Sequence, residues 1–254
     1  MATDGYFVAC LARSEAELTS LAAEHEHLHA VVADVTDEAA LDATIDRVLE
    51  AYGPCAVLVN NAGYGLRAAV EEIPLDQFRR QMAVNVFSCV QLIQKVLPGM
   101  RQAKSGCIVN ISSVAGRIST PFGGAYCGTK FALEALSDAL RVEVKPFGVR
   151  VVLIEPGPVK THFLSAAAVV SDDILENPDS PYAKGYSGML AQLKDLHSGA
   201  WSTDAVVDIV MRSIRNENPS ARYGAHDWIL TLAIQLRNFS PRLLDYMLAR
   251  RMGL

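Results

Sequence analysis

Three side chains in the middle of the chain have the types and spacing for proton transfer: Ser113, Tyr126 and Lys130. Tyr126 and Lys130 stand four apart in A-Y-C-G-T-K-F-A-L, so on a helix they share one face. An ammonium beside a phenol favours the phenolate and lowers a pKa that starts near ~10. A drop of ~3 units corresponds to about 4 kcal/mol of differential stabilisation, and it would make the tyrosine a general acid/base at neutral pH. Ser113 follows the apolar run C-I-V-N-I, at the carboxyl end of an expected parallel strand, where open α/β sheets place their ligands. The Y-x-x-x-K spacing recurs by chance on many helices, so the pair alone decides nothing.

Other motifs fall in register with it. Asn60-Asn61-Ala62-Gly63 follows a buried strand, Asn85 sits inside a helical run, and Pro156-Gly157-Pro158-Val159-Lys160-Thr161 follows the last core strand. With I-V-N-I-S-S-V-A-G thirteen residues ahead of Tyr126, this order and spacing resembles the short-chain dehydrogenase/reductase family from about Tyr6 to Thr161. The carboxyl-terminal stretches R-Y-G-A-H-D-W and P-R-L-L-D-Y-M-L-A-R-R are similar to its steroid- and retinol-dehydrogenase-like branch.

The resemblance implies a Rossmann-like, doubly wound, mostly parallel sheet with helices on both faces. It implies an enzyme that moves a hydride reversibly between NAD(P)H and an alcohol/carbonyl pair, the cofactor carrying the hydride chemistry. Tyr126 would donate or accept the proton, Lys130 would lower its pKa and bind the nicotinamide ribose, and Ser113 would orient the substrate oxygen. Asn85 would interrupt its helix to hold a water linking Lys130 to solvent. Asn61, Ala62 and Gly63 would line the adenosine side, Asp34 and Val35 would meet adenine, and Pro156, Gly157, Val159 and Thr161 would bind the nicotinamide end. Arg13 ends a strand at the place where an acidic residue selects NAD and an arginine accommodates the 2′-phosphate, which favours NADP(H) over NAD(H). The family usually forms dimers or tetramers, so a homo-oligomer is expected.

One family motif is absent. T-G-x-x-x-G-x-G should follow a first strand and open a helix before Tyr6, so the first strand and glycine-rich loop are missing, about 25 positions in all. Gly63-Tyr64-Gly65 and Ala68 satisfy G-x-G-x-x-A only formally, because Asn60 and Asn61 explain that turn better. The resemblance therefore carries the expectation that the frame extends upstream of Met1 or that the product is truncated. It also expects the first two strands either to pair directly with Cys55–Val59 or to leave a gap in the sheet. A second reading follows from the same absence: a catalytically silent relative that acts through oligomer or partner contacts.

The elements that must position these residues alternate along one domain. Strands are expected at Tyr6–Leu11, His29–Ala33, Cys55–Val59, Cys107–Ile111 and Val149–Ile154, the third buried on both faces. Helices are expected from Ser14 to about Glu24, from Thr36 or Asp37 to Gly53, from Leu75 to Lys104 with a kink at Pro98, over Ala125–Lys145, and over Thr203–Arg215. Residues 165–201 read as an irregular excursion. The segment from Phe163 to Ala200, with Ile174, Leu175, Tyr182, Tyr186 and Met189, would form an apolar lid suited to a hydrophobic alcohol or ketone. Two closing helices, Trp228–Leu236 and Pro241–Arg250, complete the chain. The first is apolar nearly all round and is expected to be buried in the chain or against another subunit, with a peripheral membrane contact as the minor alternative.

Composition agrees with that organisation. Of 254 residues, 50% are hydrophobic and 20% charged, with a net charge of -5, which excludes a disordered chain and gives no basic excess for nucleic acid. Residues 1–50 are strongly acidic, with Arg13 and Arg47 the only cations, while the last stretch carries Arg237, Arg242, Arg250 and Arg251 against Asp245. No run reaches the ~18 residues of a membrane span and the start lacks a basic leader, so a cytoplasmic protein is expected. Five scattered cysteines without a C-x-x-C pair read as small core residues. His25, His27 and His29 read as a surface cluster and not a metal cage, His162 as a site neighbour or a surface residue. G-x-S-x-G is absent, which removes the serine-hydrolase reading.

Overall fold

Apolar runs of strand length, broken by capped amphipathic helices, give an α/β architecture in this computed structural model, which describes residues 1–161, 163, 173–196, 200–224 and 228–252. In chain order the elements are β1 (Val8–Ala12), α1 (Glu15–Ala22), β2 (Leu28–Val32), α2 (Glu38–Tyr52), β3 (Val57–Asn60), α3 (Leu75–Met82), α4 (Ser88–Ala103), β4 (Gly106–Ile111), α5 (Gly124–Val144) and β5 (Val149–Glu155). They continue as α6 (Ala183–Leu196), α7 (Thr203–Arg215), β6 (Arg222–Gly224), α8 (Trp228–Phe239) and α9 (Pro241–Met252). Caps set several boundaries: Ser14 accepts from Glu17 N–H at 3.3 Å, Asp37 from Ala40 N–H at 3.0 Å and Ser202 from Ala205 N–H at 3.2 Å.

All strand pairs are parallel, in the order β3-β4-β5-β6, with β1-β2 as a separate two-stranded ribbon. Alternation along β4 and β5 divides the core. Ile108 and Val151 meet Val96 and Met100 of α4 and Val144 of α5 on one face. Cys107, Val109, Val152 and Ile154 meet Ile214 of α7 on the other. Each buried aliphatic side chain contributes about 1.5–3 kcal/mol, so this double-faced layer is the stable part of the molecule.

The ribbon does not pair with β3. Of the two expected outcomes the gap is the one found: β1 and β3 both line a cavity of about 1100 Å³. The open edge also explains why Val57, Leu58 and Val59 are only partly buried, where burial on both faces was expected.

Three further differences from the sequence reading have local causes. The single helix expected over Leu75–Lys104 is divided by a π-helical turn at Ala83–Phe87, which contains Asn85, while Pro98 lies inside α4 and the helix runs on to Ala103. The excursion holds a regular helix, α6, despite Gly185 and Gly188. A Cβ at Gly188 would stand 2.4 Å from the Met252 carbonyl oxygen, so the glycine that weakens the helical signal is what lets α9 close against it. Finally, α8 is not interior to this chain: Leu232 and Phe239 are exposed, as are Leu243, Tyr246 and Met247 on α9. Among the described residues no helix is long and apolar enough to cross a membrane. His162 and residues 164–172 of the expected lid lie outside the described residues.

Candidate active site

Ser113 leaves the end of β4 and caps a short 3-10 turn, Val114–Gly116, its Oγ accepting from Ala115 N–H at 3.1 Å. The turn fits because Gly116 has no side chain: a Cβ there would stand 2.8 Å from Ser112 Oγ and 2.9 Å from Glu134 Cγ. Behind it, the fully buried Glu155 at the end of β5 is held by Arg117 at 3.1 Å and Arg222 at 3.0 Å. Arg222 also reaches Glu134 at 3.0 Å and Asp138 at 2.7 Å, tying β6 and α5 to the same point. Burial and the neighbouring Glu155 raise the Glu134 pKa.

Tyr126 lies in the first turn of α5 and Lys130 one turn on, as the spacing requires. Lys130 Nζ stands 5.8 Å from the Tyr126 ring centroid and donates to Ile111 O at 2.7 Å. Burial draws its pKa down to about 8. The phenol behaves differently from the expectation. Burial pushes the Tyr126 pKa up to about 12, and the groups that oppose this rise are the Ser113 hydroxyl, by hydrogen bonding, and the Arg67 guanidinium, by its charge. Lys130 is not among the groups that oppose the rise, and its ammonium is engaged by the end of β4.

Asn85 is fully buried in the π-helical turn. Its Nδ2 donates to Tyr64 O at 2.9 Å and to Thr129 Oγ1 at 3.1 Å, and its Oδ1 accepts from Tyr64 N–H at 3.1 Å. The interruption of the helix thus serves to clamp the segment after β3. Gly63 completes this corner, since a Cβ there would meet Asn85 Oδ1 at 3.3 Å and Lys130 Nζ at 3.8 Å. A polar chain from Asn60 Nδ2 to Asn110 Oδ1 (2.8 Å), then Asn110 Nδ2 to Ser137 Oγ (2.8 Å), links β3, β4 and α5.

The remaining candidates form two groups. Arg13, Asp34, Val35, Asn61, Ala62 and Gly63 all line the cavity beside the ribbon. Asp34 accepts from Thr36 N–H at 2.9 Å and Thr36 Oγ1 at 2.8 Å, bonds that hold its carboxyl below the usual range, and the charges of Arg13 and Arg80 act in the same direction. Pro156, Gly157, Val159 and Thr161 lie instead on the segment after β5. There Val114 N–H donates to Pro156 O at 3.1 Å, Lys160 N–H to Trp201 O at 2.9 Å, and Phe163 N–H to Thr161 Oγ1 at 3.2 Å. Phe163 sets its ring 5.6 Å from that of Tyr126.

Part of the segment expected to form a lid packs against the loops that follow β3 and β4. Tyr186 of α6 is fully buried with Ala69, Phe122, Leu175, Met189 and Met252. Its hydroxyl accepts from Ala69 N–H at 2.9 Å and donates to Glu72, which also accepts from Ser180 Oγ at 2.7 Å.

Residue reading missed Arg67, Tyr64 and Arg80. Tyr64 and Arg80 line the cavity with Arg13. Arginines in loops and on amphipathic helices are normally solvated, so nothing in their spacing marks them. Among the described residues no group of three or more His, Cys, Asp or Glu could hold a metal ion. The rings of His25 and His27 lie tilted to one another at 5.2 Å, those of Phe7 and His27 at 4.8 Å, and Tyr52 Oη bonds His29 Nδ1 at 3.1 Å.

A nicotinamide dinucleotide can be tested against these residues. The cavity offers cations, an acid and a backbone turn at one end, and at the other Gly63, where a Cβ would stand 3.3 Å from Asn85 Oδ1 and 3.8 Å from Lys130 Nζ. Both ends fit. Among the described residues the cavity wall between them carries no glycine-rich helix start of the kind that holds a diphosphate.

The comparisons agree with the geometry. The chain belongs to the short-chain dehydrogenase family: residues 1–169 match its family model, described as short chain dehydrogenase. It is 34% identical over 203 residues to the NADPH-dependent 3-dehydrocapnine reductase of Ornithobacterium rhinotracheale, covering 77% of this chain and 70% of that protein. It is 32% identical over 231 residues to human 17-beta-hydroxysteroid dehydrogenase type 1, covering 91% of this chain and 70% of that one. The crystal structure of a short-chain dehydrogenase from Streptomyces avermitilis superposes with a TM-score of 0.78 at 29% identity, covering 98% of this chain and 89% of that structure. The fold is accordingly Rossmann-like, and the chain is an oxidoreductase of this family.

Proposed function

We propose that the chain interconverts a hydrophobic alcohol and its ketone or aldehyde by hydride transfer, using NADP(H) in preference to NAD(H). The observation that carries the reading is the setting of Tyr126: its phenol is hydrogen-bonded by Ser113, backed by Lys130, and covered by Phe163 beside the apolar cluster of the lid. When bound, the nicotinamide cofactor supplies or accepts the hydride. Tyr126 Oη gives a proton to the substrate oxygen in reduction and takes it back in oxidation. Ser113 Oγ holds that oxygen in line with the phenol, and the lid excludes water. Lys130 Nζ, with Gly63 and Asn85, forms the wall for the nicotinamide ribose, and Pro156, Gly157, Val159 and Thr161 flank the ring. At the other end Asn61 and Ala62 line the adenosine, with Asp34 and Val35 at the base.

The preference for NADP(H) is supported by Arg13 and Arg80, two cations on one cavity wall that suit a 2′-phosphate. The apolar lid and the similarity to a steroid dehydrogenase support a bulky apolar substrate. The exposed apolar side chains of α8 and α9 support a homo-oligomer, a dimer or tetramer. The test is oxidation of NADPH and of NADH followed at equal concentrations with steroid ketones, retinal and a small polar sugar as substrates. The expected outcome is turnover with NADPH on the apolar carbonyls; turnover confined to the sugar, or none with either nucleotide, overturns the reading.

A further inference from the structure

The segment after β3 is fastened on both sides of Arg67. Leu66 and Ala68 are fully buried, Ala68 N–H donates to Phe122 O at 3.0 Å, and Ala69 N–H donates to Tyr186 Oη at 2.9 Å. Val70 then packs on the first turn of α5, where a Cβ on Gly124 would meet its Cγ2 at 3.1 Å. This lays the segment across the helical turn that carries Tyr126 and Cys127, and the Arg67 guanidinium acts electrostatically on both. Among the described residues, the charged and titratable groups facing Tyr126 are Lys130 and Cys127 from its own helix and Arg67 from this segment, with the Ser113 hydroxyl from the end of β4.

We infer that Arg67 is a positioning residue for Tyr126, the fixed cation that favours its phenolate and holds the hydroxyl toward the substrate oxygen. Lys130 cannot fill this part alone. Its ammonium is bonded to Ile111 O, and with a pKa near 8 it loses its charge in mildly alkaline solution. A guanidinium stays protonated there, so the phenol keeps one permanent positive neighbour when the other has titrated. The inference rests on the proposed role of Tyr126 for its place in catalysis, while the electrostatic link can be measured without turnover.

The experiment places 3,5-difluorotyrosine at position 126, whose lower intrinsic pKa brings the phenol into a range where the protein stays folded, and follows its fluorine resonance against pH. Arg67→Met and Arg67→Gln are compared with Arg67→Lys and the parent, each checked for folding by circular dichroism. Both neutral variants should raise the midpoint by about one pH unit, a tenfold change in ionisation constant, and Arg67→Lys should restore most of it. An unchanged midpoint in a folded neutral variant overturns the inference. A raised midpoint in a protein that turns over no substrate supports it and counts against the proposed function instead.

Discussion

The two sheets of this molecule are built from similar residues and end in different states. In the four-stranded sheet β4 is hydrogen-bonded on both edges and covered on both faces, and Cys107, Ile108 and Val109 are wholly inaccessible. In the ribbon no residue of β1 or β2 is buried, and Val32 is 50% exposed. Apolar content did not separate them; the number of neighbours did. The half that carries Ser113, Tyr126 and Lys130 is fixed by packing, whereas the half that carries Arg13, Asp34 and Val35 leans on one partner strand, two helices and a cavity.

The sharpest way to use this difference is to remove chemistry from the fixed half without disturbing its packing. Tyr126→Phe should lower kcat by at least about 10²–10⁴-fold with an unchanged melting temperature, since general acid/base groups contribute on that scale. Comparable turnover by the variant would end the assignment. The contrast in packing predicts unequal costs for truncation. Ile108→Ala should destabilise by about 2–5 kcal/mol in urea melts, and Val32→Ala by no more than about 0.5 kcal/mol. Equal losses would mean that the ribbon is held as firmly as the sheet. At the cofactor end, Arg13→Gln or Arg80→Gln should raise KM for NADPH by about 10–100-fold and leave KM for NADH nearly unchanged, the loss of one charge-assisted contact. A matching rise for both nucleotides would remove these arginines from 2′-phosphate recognition.

A modest effect comes from Lys130. Its folded pKa of about 8 lies below the ordinary 10.5, so between these values the unfolded chain binds more protons than the native one. Stability from this group therefore rises with pH through that window, on the order of 1–2 kcal/mol between pH 7.5 and 9.5. Tyr126 acts in the opposite sense, its folded pKa of about 12 exceeding the ordinary 10, and its contribution falls only above pH 10. Urea melts at the two pH values should show the rise in the parent and not in Lys130→Met.

Much of this architecture was legible in residue pattern. Thr203–Arg215 matches its expected boundaries because Ser202 caps it and Val206, Val210 and Ile214 repeat on one face. The Asp37 cap and Gly53 stop delimit α2 in the same way. Spacing also placed Tyr126 beside Lys130. What escaped were features decided by tertiary contact: α6, whose glycine serves a helix crossing, and the acidity of Tyr126; the break at Asn85, which a uniformly helical pattern conceals, was carried by the family resemblance alone. Spacing names the neighbours of a phenol but not its depth, and here burial raises its pKa. Arg67 was missed for the same reason, because a loop arginine gains its partner only when the loop is pinned.

The fastening of α6 bears on timing. If a bulky molecule passes under α6, as the proposed function implies, Tyr186 would leave both Glu72 and the Ala69 amide while Tyr186 and Met189 meet water together. Exposing two such side chains costs about 3–6 kcal/mol, which holds the open form to about one part in 10²–10⁴, and departure thinned in this way can set the pace of the cycle. On that footing a deuterated nicotinamide would leave the steady-state rate almost untouched and slow only the first, single-turnover event. The pace of the cycle would then be kept by a tyrosine hydroxyl well removed from the reacting carbon.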